Sequence, residues 1–122
     1  MPHGSPRIRL ANGRMNLIGS RLKRGRLDAR IPQDKLCGQL AYITEGAWVP
    51  TRHDIYRIEA GIRTVSDAEI ISLAGVLGCS LVWLICGMET EPLSMNDWAA
   101  QTFRGAKPAL EASTKADQER NS

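Results

Sequence analysis

Three times between Thr51 and Gly87 the chain repeats one piece of punctuation: a hydroxyl residue able to cap a helix, an apolar stripe at helical spacing, and a glycine stop. Thr51 with Asp54 three residues later opens the first of these, Ile55 and Ile58 fall on one side of it, and Gly61 ends it. Ser66 and Glu69 form a capping box with Val65 set against Ile70 as its hydrophobic staple; Ile70, Leu73, Ala74 and Leu77 are the buried stripe, and Gly78 is the stop. Ser80 caps a shorter piece, Leu81 to Cys86, closed by Gly87. Gly75, inside the second of the three, costs roughly 1 kcal/mol relative to Ala, which implies close packing there. The aromatics number only three Trp, two Tyr and one Phe, so a small core of Ile, Leu and Val in a compact all-α bundle is the expectation.

Two further helices precede Thr51. Asn16 can cap the first, from about Leu17 to Ala29, with Ile18 and Leu22 inward. Pro32 stands where the second begins, Leu36, Leu40 and Ile43 continue it, and Gly46 closes it before the apolar connection Trp48, Val49, Pro50. The domain organisation that follows is a basic flexible arm over 1–14, a helical domain over 15–87 and a polar tail over 88–122. A short helix at 95–104 places Met95, Trp98, Ala99 and Phe103 near one side, and 105–122 reads as disordered. That apolar strip is either folded back on the domain or held for a partner.

Net charge is +3, but residues 1–30 hold Arg7, Arg9, Arg14, Arg21, Lys23, Arg24, Arg26 and Arg30 against the single acid Asp28. Such a basic leading end suits a polyanion, and equally a solvated helix face with a mobile arm. Cys37, Cys79 and Cys86 are scattered, and there are two His, so neither a disulfide framework nor a metal site is indicated and no cofactor is expected. The cysteines read as small buried hydrophobes in a reducing cytoplasm. No apolar run approaches the roughly 20 residues of a membrane span. With no nucleophile, His and acid set and no phosphate-cradling loop, an enzyme is not expected.

The helix opening at Thr51 has an armed side. Arg52 and Tyr56, like His53 and Arg57, are four apart, so the four point outward together, away from Ile55 and Ile58. A short helix with a buried back and an Arg, His, Tyr and Arg front has the shape and chemistry for the base edges of a DNA major groove. Each side chain also has a plainer reading: exposed Arg paired with Asp54, His53 idle at a helix start, Tyr56 covering the core edge. Lys35 and Arg63 flank this helix as candidate phosphate contacts, and Arg7, Arg9 and Arg14 as arm contacts.

Five short helices with the armed one third resembles the phage-repressor and Cro type helix-turn-helix family, often called XRE-like. The resemblance covers Leu17 to Gly87 and is carried by Ile18-Gly19 with Leu22 and Arg26, Gln33-Asp34-Lys35-Leu36, Ile55 to Gly61, Val65 to Ile70, Leu73-Ala74 to Leu77-Gly78, and Ser80 to Leu84. It implies a lambda-repressor-like domain in which Gln33 touches phosphate and steadies the third helix, Thr51, Arg52, His53, Tyr56 and Arg57 face the duplex, and Arg26 pairs with Glu59 structurally. It further implies a cytoplasmic transcriptional regulator, a repressor holding an operator as a homodimer, with Leu81, Trp83, Leu84, Trp98 and Phe103 as the dimer or partner surface. The alternative is an antitoxin-like protein that captures a partner protein through its tail and regulates itself through DNA. Departures from the family pattern are Pro32 in place of a Ser or Thr cap, a stretch between Gln33 and Glu59 about eight residues long in excess around Tyr42 to Val49, and Gly25 where a larger apolar residue is usual, with Leu27 as the compensating side chain.

Overall fold

A computed structural model describes residues 8–105, and among them there are six α-helices and no strand. They are α1 (Gly19–Asp28), α2 (Gln33–Ile43), α3 (Arg52–Ala60), α4 (Asp67–Leu77), α5 (Leu81–Cys86) and α6 (Met95–Arg104). Arg7 and the segment 106–122, the latter expected to be disordered, lie outside the described residues. None of the helices is long and apolar enough to cross a membrane.

The capping chemistry sets the boundaries. Both boxes close reciprocally: the Thr51 hydroxyl accepts from the Asp54 N–H while Asp54 accepts from the Thr51 N–H, and Ser66 and Glu69 repeat the arrangement. Gly61, Gly78 and Gly87 each sit in the left-handed region that L side chains rarely adopt, which turns the chain out of the helix. Ser80 and Ser94 cap α5 and α6 through the Trp83 and Asp97 N–H groups.

Ile18, Leu22, Leu36, Leu40, Ile55, Ile58, Leu73 and Leu84 are fully buried and form one core between α1, α2, α3, α4 and α5. Each such side chain contributes roughly 1.5–3 kcal/mol by leaving water. α1 and α2 pack on α3, α4 lies across α1 and α2, and α5 closes against α4. Ile43, expected to continue the α2 stripe, is about half exposed; its Cδ1 lies over Gly75, where an added Cβ would approach it to 3.2 Å. That contact is the close packing anticipated at Gly75.

Three expectations need correction. Leu84, assigned to a dimer or partner surface, is fully buried in the core, because a six-residue all-apolar helix gives no periodicity to say which side faces in. Leu27 does not compensate for Gly25, since it is exposed; Leu77 and the ring of Trp83 fill that space, within 3.3 and 3.6 Å of where a Cβ would stand. The described part of the arm is a folded strap. Leu10 N–H donates to the Arg14 carbonyl, Gly13 N–H to the Leu10 carbonyl, and Ala11 N–H to the Thr102 carbonyl of α6.

The excess residues between α2 and α3 make an ordered turn. The Thr44 hydroxyl donates to the Leu40 carbonyl and accepts from the Trp48 N–H, and Glu45 takes a left-handed conformation (φ 51°) with Gly46 after it. Trp48 is half-buried, Pro50 buried and Val49 exposed, so the connection returns to the core just before Thr51. Arg21 fastens α5 to α1: its Nε donates to the Leu84 carbonyl, and its Nη2 to the carbonyls of Ile85 and Leu17. Burial holds the Arg21 guanidinium below its usual pKa, with Cys86 acting the other way.

Candidate nucleic-acid interface

The inner side of α3 is locked by a line of polar contacts as well as by its isoleucines. Glu59, itself buried, receives the Arg26 guanidinium in two hydrogen bonds, Nε to Oε2 at 2.6 Å and Nη2 to Oε1 at 3.0 Å. Arg26 also donates to the Ile31 carbonyl and Glu59 accepts from Gln33, so both partners of the buried pair are further satisfied. Hydrogen bonding from the pair raises the Arg26 pKa above its ordinary value, so it stays charged.

Gln33 extends this line outward. Its Nε2 donates to Glu59 Oε1 at 3.1 Å, and because a carboxylate only accepts, the amide must turn its oxygen the other way. That oxygen meets Arg52 Nε at 3.5 Å, a long contact at the edge of hydrogen-bond range. Gln33 therefore stands between the buried ion pair and the armed side of α3.

The armed side divides in two. Gln33, Arg52, His53 and Tyr56 come together on one side, His53 and Tyr56 with stacked rings 6.3 Å apart and inclined by 21°. Gln33, Arg52 and Tyr56 also border a cleft of about 640 Å³ whose walls include Lys23 and Asp34. Arg57 is not part of that group; it is half-buried and near enough to Asp54 to help hold that carboxyl below its usual pKa, the largest cause being the hydrogen bond from the Thr51 N–H. Among the described residues Arg52, His53 and Arg57 form no ion pair; those present are Arg24 with Asp28, Arg26 with Glu59, and Arg63 with Glu69.

Not every candidate joins the cluster. Arg63 is engaged elsewhere, with Nη1 and Nη2 at 3.0 and 2.9 Å from the Glu69 carboxylate and a further bond to the Thr64 carbonyl. This fork raises the Arg63 pKa and lowers that of Glu69. Lys35 is exposed on the other flank of α2, beside Gly38, Tyr42 and Val76 of α4. Arg14 is no arm residue: its Nη2 donates to the Glu59 carbonyl at 2.6 Å across Gly19 and Gly61. Arg9 donates to the Gly13 carbonyl within the strap.

Lys23 was not selected from the sequence, although the i, i+3 step from it to Arg26 on α1 is the signal that would have found it. Asn16 does more than cap. Its Oδ1 accepts from the N–H groups of Ile18 and Gly19, as expected of a cap, while its Nδ2 donates to the Ile58 and Arg63 carbonyls at the far end of α3.

Among the tail residues, Trp98 is half-buried and Met95 and Phe103 are 46% and 40% exposed, so α6 touches the strap while much of its apolar strip stays open. Trp83 is half-buried and Leu81 exposed at 43%. No group of three or more His, Cys, Asp or Glu side chains among the described residues is placed to hold a metal ion. Comparison with known protein families, with characterised proteins and with solved structures finds no match to this chain.

Proposed function

We propose that this chain is a cytoplasmic, sequence-specific DNA-binding regulator of the phage-repressor and Cro helix-turn-helix type, with α2 and α3 as the helix-turn-helix and α3 as the reading helix. The observation that carries this reading is the two-sided character of α3. Ile55, Ile58 and Glu59 hold its back in the core, and Arg52, His53 and Tyr56 stand outward beside Gln33. Arg52, with its Nε turned to Gln33, has its terminal nitrogens available for a two-pronged contact with guanine O6 and N7. Tyr56 and His53 offer flat faces for sugar or thymine methyl contact. Gln33, Thr51, Lys23 and Arg57 surround them as phosphate contacts, whereas Arg63 and Lys35 are weaker candidates in view of the Glu69 fork and the flank that Lys35 occupies.

One such helix makes few base contacts, each worth about 1–3 kcal/mol, so a homodimer spanning two half-sites about 34 Å apart is the economical arrangement for a repressor. Leu81, Trp83, Trp98 and Phe103 supply the dimer surface. Selection of bound fragments from genomic DNA, followed by titration of the selected duplex over a range of salt, tests the reading. It expects saturable binding whose logarithm falls linearly with the logarithm of salt concentration, and a marked preference for the selected sequence over random duplex. Indifference to both sequence and salt overturns it.

A second reading is favoured by the open strip of α6: an antitoxin-like protein that holds a partner protein there and regulates itself through DNA. Met95 and Phe103 remain substantially exposed, and Leu93 just before them is fully so. Replacing Met95 and Phe103 by Ser separates the two. Loss of a co-purifying protein with operator affinity intact supports the antitoxin reading; halved mass in solution with loss of operator binding supports the dimeric repressor.

A further inference from the structure

We propose that residues 10–16 act as a coupling strap, through which whatever engages α6 changes the seating of α3. It rests on the DNA reading only for its consequence at DNA; the strap itself is a matter of hydrogen bonds within the chain.

The tail end of the strap is held by α6. Ala11 N–H donates to the Thr102 carbonyl at 3.0 Å, Leu10 borders clefts shared with Trp98 on one side and Phe103 on the other, and the Ala11 methyl lies against Gly105. α6 has no buried residue of its own, so a ligand on its apolar strip competes with few internal contacts. The middle of the strap is short and closed on itself by the Leu10 to Arg14 and Gly13 to Leu10 bonds, with Asn12 Oδ1 accepting from the Arg14 N–H. A shift at Ala11 is therefore carried to Arg14 instead of being absorbed.

The other end of the strap serves the last turn of α3. A helix leaves its final carbonyls without partners inside the helix, and a buried one needs a donor from elsewhere. Here the strap supplies donors: Asn16 Nδ2 to the Ile58 carbonyl at 3.0 Å, which also accepts from the Gly61 N–H, Arg14 Nη2 to that of Glu59 at 2.6 Å, and Met15 N–H to that of Gly61 at 2.8 Å. The fit is tight. A Cβ at Gly19 would strike the Ile58 carbonyl, and one at Gly61 would lie 2.7 Å from the Arg14 guanidinium carbon. Lifting the strap removes these donors together and loosens the turn that follows Tyr56 and Arg57. Coupling of this kind is reciprocal, so DNA that holds α3 in place also holds α6 against the strap.

The test is amide hydrogen exchange by NMR on the full chain, comparing wild type with Trp98→Ala/Phe103→Ala and, separately, with Ala11→Pro, which removes the donor while leaving α6 side chains untouched. The expected result in both variants is exchange faster by roughly 2- to 10-fold, the effect of one lost hydrogen bond, at Met15, which donates to Gly61, and at Ile62, which donates to the Arg57 carbonyl, with the amides of α4 unchanged. Wild-type rates at Met15 and Ile62 while α6 exchanges faster would overturn the proposal. A uniform acceleration that includes α4 would overturn it as well, since it reports global opening. Because the readout needs no DNA, a strap that transmits in a chain that binds no duplex removes only the consequence at DNA.

Discussion

α3 and α6 are built alike and held differently. Each is short, nine residues in one case and ten in the other, each starts on a hydroxyl cap, and each carries an apolar side. α3 buries Ile55, Ile58 and Glu59, its back is joined to α1 and α2 by the Arg26, Glu59 and Gln33 contacts, and its end is met by Arg14 and Asn16. α6 buries nothing completely, and among the described residues its backbone bond to another part of the chain is the one from Ala11 of the strap to Thr102. An isolated helix of this length is marginal in water, so what makes α3 a rigid mount is tertiary support and not its own propensity. A helix intended to present side chains at fixed positions needs that support, whereas one that changes partners is better without it.

The two helices differ most in what Glu59 does for α3. Glu59→Ala leaves the Arg26 guanidinium buried without its partner and is expected to destabilise the domain by about 3–5 kcal/mol in urea unfolding; a change below about 1 kcal/mol would mean that α3 is no more firmly seated than α6. Arg52→Ala sharpens the difference between mount and armament. It should cost about 1–3 kcal/mol on a selected duplex and relax sequence preference, with unfolding unchanged, and equal losses on random DNA would make Arg52 a phosphate contact. Thr51→Ala removes the α3 cap and is expected to cost about 1 kcal/mol of global stability. Ser94→Ala, the matching change in α6, should leave global stability unchanged while speeding exchange within α6 and, through the strap, at Met15 and Ile62.

A smaller effect is expected in acid. Asp54 is lowered in pKa first by the Thr51 N–H and Glu69 first by the Arg63 fork, so each contributes stability that is complete above its unfolded pKa, about 3.9 and 4.3 respectively. That contribution fades as pH falls through the lower folded values. Urea midpoints should therefore drop on acidification below about pH 4, and Asp54→Asn with Glu69→Gln should flatten the decline. An unchanged slope in the double variant would show that these caps add nothing measurable.

Much of this architecture is legible in the sequence because caps and glycine stops act over three or four residues. Thr51 with Gly61, Ser66 with Gly78, Ser80 with Gly87, and the start of α6 are all of that kind. The buried stripe is legible where a helix is long enough to show a period, as for Leu36 and Leu40, although the next step of that stripe, Ile43, stands half exposed. What escaped depends on where the chain goes between helices. The Arg63 fork to Glu69 requires the path of the connection from Gly61 to Ser66, and Arg14 changes from arm to anchor only once the strap is folded on Gly19 and Gly61. Lys23 gains its place beside Arg52 and Tyr56 because α1 and α3 pack together, which charge alone does not disclose. Trp83 fills the space at Gly25 from a helix more than fifty residues away in sequence.

Arg21 has a consequence for which substitutions the fold tolerates. Its planar group spans three carbonyls, those of Leu17, Leu84 and Ile85, with two nitrogens whose spacing is fixed by the guanidinium. A lysine keeps the charge but concentrates its donors at one point, so it cannot serve the Leu17 carbonyl ahead of α1 and those of α5 at the same time. What this position demands is the breadth of the fork, and an exchange that looks conservative by charge would detach the smallest helix of the core.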